Sequence, residues 1–174
     1  LPSVSNSSLP LVTDSTGESY RTFLNVRYAQ FGRVDMDGRI RYQLHDRSSF
    51  AGRVALGAGL PYGNFPVLPF ESSFFVGGAN GLRAWRARSI GPGSYSAPLL
   101  AFDRTGEVRF EANGEYRFKL IGYLEGAFFA DVGNIWMLKP DPRKPGAEIT
   151  SERFLSELAV GLGTGARLNF EFFI

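Results

Sequence analysis

The sequence of 174 residues contains no cysteine and only one histidine, His45. Without cysteine the chain has no disulfide framework, no thiolate metal site and no cysteine nucleophile. His45 has no second His or Cys to complete a metal site. The glycine-rich stretches lack the Lys-Ser/Thr pair of a phosphate loop, and there is no Gly-x-Ser-x-Gly elbow. We therefore expect no metal, no cofactor and no enzymatic activity.

Long apolar runs are also missing. No stretch of 18 or more apolar residues is present, which excludes a transmembrane helix. Residues 1–17 are polar and rich in serine, and no basic segment precedes an apolar core, so a signal peptide is not expected. Both absences fit a soluble protein. They also fit an internal part of a β-barrel, whose strands are too short and too alternating to form hydrophobic runs.

An excess of positive or negative charge is nearly absent as well. The chain carries 19 basic and 17 acidic residues, for a formal net charge of +2. Lys and Arg alternate with Asp and Glu and do not form the basic face that nucleic-acid binding requires, so nucleic acid is not an expected partner. The 21 Gly and 16 Phe instead favour an all-β fold.

The polar and apolar residues alternate with a period of two. In residues 34–44 the even positions are apolar or small and the odd positions are charged or polar, and residues 107–118 repeat this pattern. Such alternation is typical of a strand with one apolar and one polar face. The pattern predicts five strands, at residues 28–45, 49–60, 106–118, 122–137 and 154–171.

The connections between the predicted strands differ in length. Two are tight turns, at residues 45–48 and 119–122, whereas residues 61–105 and 139–153 form long loops. Short turns on one side and long loops on the other are typical of outer-membrane barrels, and the strands are longer than the usual 5–6 residues. A soluble antiparallel sheet with one wet face is the alternative. Five strands cannot close a barrel, so we expect residues 1–174 to be a partial barrel domain within a longer protein.

Apolar and glycine-rich residues make the loop at 61–105 unusual. Its aromatic residues include Phe65, Phe70, Phe74, Phe75 and Trp85, and we expect the loop to fold back into the barrel interior. One stretch reads Phe75-Val-Gly-Gly-Ala-Asn-Gly-Leu-Arg83-Ala-Trp85, and Ile90-Gly91-Pro92 follows. This stretch resembles the conserved loop of the BamA/TamA outer-membrane assembly superfamily, the bacterial surface antigen family. Its motif residues are Gly77, Gly78, Leu82, Trp85, Gly91 and Pro92.

Two strand motifs follow in the order that this family has. Asn113-Gly-Glu115-Tyr-Arg-Phe118 resembles the family's strand after the loop, and Phe129-Ala-Asp131-Val-Gly133 resembles its Phe-x-Asp-x-Gly motif. Phe129 and Gly133 are the strand-motif residues. Ala84 replaces a glycine that is usual in the family. Together with Trp85 and the Gly91-Pro92-Gly93-Ser94-Tyr95 ending, it makes the chain most similar to the TamL-type lipoprotein branch.

The resemblance implies a sixteen-stranded barrel in the bacterial outer membrane, preceded by periplasmic repeat domains that residues 1–174 do not include. It implies a factor that helps other proteins insert into or cross that membrane. The implied partners are outer-membrane lipid, nascent outer-membrane proteins, and periplasmic or inner-membrane assembly proteins. A partner-secretion pore or a passive porin is the alternative from the transport class. A soluble sheet domain that binds an apolar ligand is the alternative from the binding class.

One ion-pair cluster is expected inside the barrel. An arginine on a loop in the lumen needs carboxylate partners, because an unpaired buried charge is costly. Glu115 and Asp131 are both odd-numbered and belong to neighbouring strands, and the family motifs place the partners of Arg83 at these positions. We call these three residues the loop latch. The alternative is that Arg83 is a solvated surface residue. On the lipid side we expect Val108, Phe110, Tyr116 and Phe118.

Overall fold

The computed structural model describes residues 10–13, 19–96 and 104–168, and it is an all-β structure. A three-stranded antiparallel sheet has the order β1-β2-β3, and a five-stranded antiparallel sheet has the order β4-β5-β6-β7-β8. The strands are β1 (Leu11–Thr13), β2 (Ser19–Phe23), β3 (Val26–Arg27), β4 (Gln30–His45), β5 (Ser48–Tyr62), β6 (Val108–Ile121), β7 (Leu124–Trp136) and β8 (Ala159–Leu168). The predicted all-β fold is confirmed. Over the described ranges, no helix is long and apolar enough to cross a membrane.

The five long strands coincide with the five predicted ones, apart from their ends. β4 and β5 join through a two-residue turn at residues 46–47, inside the predicted turn. The turn predicted at residues 119–122 was misplaced, because β6 continues to Ile121, which still pairs with Leu124 of β7. The chain reverses instead at residues 122–123, where Gly122 has a φ of +56° that suits a tight turn.

The start of the last strand was also predicted wrongly. β8 begins at Ala159 and not at residue 154. The amide of Phe154 donates to the carbonyl of Thr150 at 3.0 Å, so this segment turns in a helical manner. The Phe154 ring packs against Phe110 and Trp136, at centroid distances of 5.5 and 5.0 Å. Packing of this half-buried ring holds the segment away from the sheet ladder. The predicted end of the strand, at residues 169–171, lies outside the described residues.

The three short strands β1 to β3 were not predicted. They connect to the main sheet through Asn64, whose side chain accepts from the Arg21 amide at 2.9 Å and donates to the Arg21 carbonyl at 2.8 Å. The Arg27 guanidinium donates to the Asn64 carbonyl and lies over the rings of Tyr20 and Phe65. Asn64 and the Phe65 ring therefore link the small sheet to the end of β5.

The two faces of the five-stranded sheet differ as the alternation predicts. The outer face, formed by even-numbered residues, leaves large apolar side chains exposed. They include Val34, Met36, Ile40, Tyr42, Val54, Leu56, Leu60, Tyr116, Phe128, Val160 and Leu162. Phe110 lies on this face too, but the Phe154 ring packs against it. Phe110 is half-buried at this end of the sheet, and its contact with lipid stays a prediction.

The inner face, formed by odd-numbered residues, carries the long loop. The buried core lies between this face and the loop and consists of Phe74, Val76, Leu82, Ile90 and Ile135. Glycines in β5 make room for the loop, because they have no side chain. A Cβ at Gly57 would lie 2.4 Å from the Phe74 ring, and a Cβ at Gly59 would lie 2.4 Å from Leu68. The loop thus packs directly on the backbone of the sheet.

Candidate functional site

The loop motif forms a narrow hairpin that presents residues 79–84 at its tip. The Gly78 amide donates to the Trp85 carbonyl at 2.8 Å, and the Arg88 amide donates to the Val76 carbonyl at 3.0 Å. Gly77 has a φ of +97°, and a Cβ on it would lie 2.3 Å from the Arg86 carbonyl oxygen. Only glycine fits such a close approach of two backbones.

Leu82 fixes the tip against β7. Its side chain is fully buried and lies over Gly133, where a Cβ would come within 3.0 Å of Leu82 and 2.5 Å of the Phe110 carbonyl. The second part of the motif anchors the far side of the loop. Gly91 and Pro92 are buried, and a Cβ at Gly91 would meet the Asn134 side chain at 2.6 Å. Gly91 and Gly133 therefore mark places where loop and strand touch, whereas Gly77 and Gly78 lie against Arg86 and Ala87 within the hairpin.

The structure brings the three residues of the loop latch together. Arg83 donates its Nε to Asp131 Oδ2 at 2.9 Å and its Nη2 to Asp131 Oδ1 at 2.8 Å, which is a forked, bidentate geometry. The Arg83 backbone amide also donates to Asp131 Oδ2, at 3.0 Å. Nη1 donates to Glu115 Oε2. One guanidinium thus joins the loop tip to both β6 and β7.

An aromatic ring completes the environment of this guanidinium. The Cζ atom of Arg83 lies 3.8 Å from the centroid of the Phe129 ring, within the range of a cation–π contact. The Asp131 side chain is fully buried and that of Glu115 is 12% exposed, whereas Arg83 is 26% exposed. An exposed ion pair contributes little, but removal of the cation here would leave a buried carboxylate unpaired.

Glu115 is shared among several arginines. Its Oε1 accepts from Arg117 at 2.7 Å and from Arg167 at 3.4 Å, while its other oxygen accepts from Arg83. The carboxylate therefore connects the loop to β6 and β8 at one point. Three cations surround this one carboxylate, and one of them, Arg83, also pairs with Asp131.

A second arginine, Arg53 of β5, holds the loop from the wall side and was not among the predicted site residues. Its Nη1 donates to the Asn80 carbonyl of the tip at 3.0 Å. Its guanidinium also pairs with Asp37 at 2.8 Å and with the nearly buried Glu111 at 3.2 Å. Asn113 acts in the same way, since its amide donates to the Gly81 carbonyl and to Asp131 Oδ1, both at 2.9 Å.

The strand register explains why these residues lie together. Arg53 is paired with Asn113, and Asn113 is paired with Asp131, so the three form one row across β5, β6 and β7 directly under the loop tip. All three are odd-numbered, and parity assigns them to the inner face. The odd residue numbers alone do not reveal this row, because the row depends on the register in which the neighbouring strands pair.

The end of the loop motif contacts β8. The indole Nε1 of Trp85 donates to the Val160 carbonyl at 3.0 Å, although the side chain is 41% exposed. Ala84 lies above Gly161, where a Cβ would come within 2.9 Å of the Ala84 methyl group. The alanine at the tip is accommodated because β8 has no side chain at this position.

The loop between β7 and β8 carries its own ion pairs. Arg153 donates to Glu148 at 2.8 Å and to Glu157 at 3.0 Å. The hydrogen bond from Arg153 lowers the pKa of the Glu148 carboxyl below its usual value. In the part of the chain that the structure describes, no group of three His, Cys, Asp or Glu residues could hold a metal ion.

Comparison with known families matches the sheet and the loop together. A family model described as the Omp85 superfamily domain covers residues 22–172, which is most of the chain. This match confirms the superfamily that the loop and strand motifs indicate, while the TamL-type branch stays a prediction. Because the family model matches nearly the whole sequence, the chain belongs to the Omp85 superfamily.

Proposed function

We propose that this chain forms part of a transmembrane barrel in the bacterial outer membrane, where it helps other proteins insert into or cross the membrane. Membership in the Omp85 superfamily supports a role in outer-membrane protein assembly or translocation at a general level. The exposed apolar side chains of the outer face support contact with lipid, since every long strand contributes them.

The loop latch is the observation that carries the proposal. Arg83 joins the loop tip to Asp131 of β7 and Glu115 of β6, and Arg53 holds the same tip from β5. A passive porin needs only an open lumen. Here a long apolar loop is attached to the wall at its tip, and it fixes the shape of the interior next to three strands. We infer that this fixed interior guides a substrate polypeptide.

No chemical step is part of the proposal. The partners are outer-membrane lipid on the outer face, nascent outer-membrane proteins as substrates, and periplasmic or inner-membrane assembly proteins that deliver them. The barrel would contain further strands, since among the residues that the structure describes β4 and β8 each pair with a long strand on one side only.

Depletion of the intact protein from its own cell tests the proposal. We expect the amounts of several unrelated outer-membrane proteins to fall together, while small solutes still enter. Plasmid-borne Arg83→Ala should complement poorly and Arg86→Ala, on the exposed side of the same loop, should complement fully. Loss of a single secreted protein would instead identify a partner-secretion pore, and loss of solute uptake alone would identify a porin.

A further inference from the structure

A cavity of about 600 Å³ opens on the inner face beside the loop tip. Tip residues Ala79 to Gly81 form one side, and strands β4, β5 and β6 form the other. The charged side chains that line it are five arginines and a single carboxylate: Arg39, Arg41, Arg53, Arg83, Arg117 and Glu115. The lining is therefore strongly basic.

Most of these arginines are already paired. Arg53 and Arg39 share Asp37, and Arg83 and Arg117 share Glu115. Arg41 differs, because it forms no ion pair among the described residues and its side chain is exposed. The cavity therefore presents one uncompensated guanidinium, with the other cations arranged around it.

The basic lining continues toward the turn between β4 and β5. A smaller concavity of about 190 Å³ shares Arg41 and Arg117 with the larger one and adds Arg47 and Lys119. It contains Asp46 and Glu125 as well, so its charge is less one-sided. We call the two concavities together the basic track. It runs from the short-turn end of the sheet to the loop tip.

We propose that the basic track binds carboxylates of an acidic segment in a substrate polypeptide, with Arg41 as the main contact. The inference rests on the proposed function, since it names a chemical feature of the substrate. Guanidinium groups bind carboxylates in a planar, bidentate manner. A volume of about 600 Å³ lies within the usual range of binding pockets, about 300–1,000 Å³, and holds a few residues of an extended chain.

The position of the track favours a polypeptide over a lipid. The arginines lie on the odd-numbered face, whereas the even-numbered face of the same strands is apolar. Acyl chains would contact the apolar face and would have to cross the sheet to reach Arg41. Backbone groups of a polypeptide, by contrast, find a hydrogen-bonding partner beside the cations in the exposed side chain of Asn80, which also lines the cavity.

The test measures binding of a fluorescent octapeptide of alternating Glu and Ser to the intact protein in detergent. We expect saturable binding that weakens as salt rises, and no binding of the matching Lys/Ser peptide. Arg41→Gln should weaken binding about tenfold, as expected for loss of a charge-assisted hydrogen bond. Arg143→Gln is the control, because Arg143 is exposed on the loop after β7, outside the track. Heat-dependent mobility on gels verifies that each variant is folded.

Three results would overturn the inference. They are equal binding of the Glu and Lys peptides, unchanged binding by Arg41→Gln, and displacement of the peptide by inorganic phosphate at similar concentrations, which would indicate a simple anion site. The proposed function is tested apart from this. Suppose that depletion lowers several outer-membrane proteins, and that Arg41→Gln restores them and binds the peptide normally. The proposed function is then supported, and the proposed role of the basic track is contradicted. If depletion lowers none of them, the function itself fails.

Discussion

The indole N–H of Trp85 donates to the backbone carbonyl of Val160, with 3.0 Å between nitrogen and oxygen. Arg83, two residues earlier, is hydrogen-bonded to β6 and β7, so the tip of one loop touches three neighbouring strands. The loop therefore contributes to the cohesion of the sheet as well as occupying its inner face. Ala84 also packs on Gly161 of β8, whereas the hydrogen bond to β8 depends on this single donor and is simple to remove.

Trp85→Phe removes this donor and keeps an aromatic ring. We expect a loss of about 0.5–1.5 kcal/mol in stability, the usual net contribution of one hydrogen bond. The measurement is the temperature at which the intact protein loses its folded mobility on a gel. Trp85→Ala should cost more, because it removes the ring as well. Equal stability of Trp85→Phe and the unmodified protein would show that the bond contributes nothing.

The loop latch is tested by a double-mutant cycle of Arg83→Ala and Asp131→Asn. Arg83→Ala should cost about 3–5 kcal/mol, because it leaves the buried Asp131 carboxylate without its cation. The double variant should lose less than the sum of the two single variants, with a coupling above about 0.5 kcal/mol. Arg83→Lys should rescue poorly, since an ammonium group cannot form the fork. Additive losses would contradict the latch.

Arg53 and Arg39 provide a matched pair, because both donate to Asp37. Arg53→Gln also frees the Asn80 carbonyl and leaves Glu111, which is 5% exposed, without its cation. We expect it to cost about 1–3 kcal/mol. Arg39 is 73% exposed, and Arg39→Gln should cost much less stability than Arg53→Gln, because solvent screens an exposed ion pair. Similar losses in the two variants would mean that the contact with the loop is not what stabilises the sheet.

The contact between the loop and bare backbone is tested at Gly57. Gly57→Ala places a methyl group about where the buried Phe74 ring lies, so we expect a loss of about 1–3 kcal/mol from overpacking. Phe74→Leu in the same chain should recover part of it. Gly165→Ala is the control, because no atom lies within 4 Å of its added Cβ. Equal stability of the two alanine variants would contradict the packing.

The apolar outer face is tested with spin labels in lipid vesicles. A label at Val54, which lies near the middle of β5, should be accessible to oxygen dissolved in the lipid, whereas a label at Arg41 should be accessible to a water-soluble relaxation agent. Val54→Arg should cost about 2–4 kcal/mol if the site lies near the membrane midplane. A water-accessible label at position 54 would contradict a membrane barrel and favour a soluble sheet.

The alternation predicted the five long strands and their faces, because a period of two leaves little choice over which side chains share a face. It also placed Glu115 and Asp131 on the side to which Arg83 reaches. It could not predict the role of Arg53, which depends on the offset that sets Arg53 beside Asn113. The short strands β1 to β3 carry too few residues to show a period. Phe154 was misread as a strand residue because the ring that holds it, Trp136, is distant in sequence.

The two carboxylates of the latch stand at different heights in the β6–β7 ladder. Glu115 is paired with Phe129, whereas Asp131 is paired with Asn113, two positions further along. A shift of the β6–β7 register by one residue would turn the apolar side chains of one strand to the inner face, and the cost of this exchange of faces alone opposes it. A slip of two residues would keep every face correct, and it would either set Glu115 directly opposite Asp131 or move the two carboxylates further apart by about 6–7 Å. In either register Asn113 would no longer lie beside Asp131, so the contacts under the loop tip discriminate between registers that the alternation cannot tell apart.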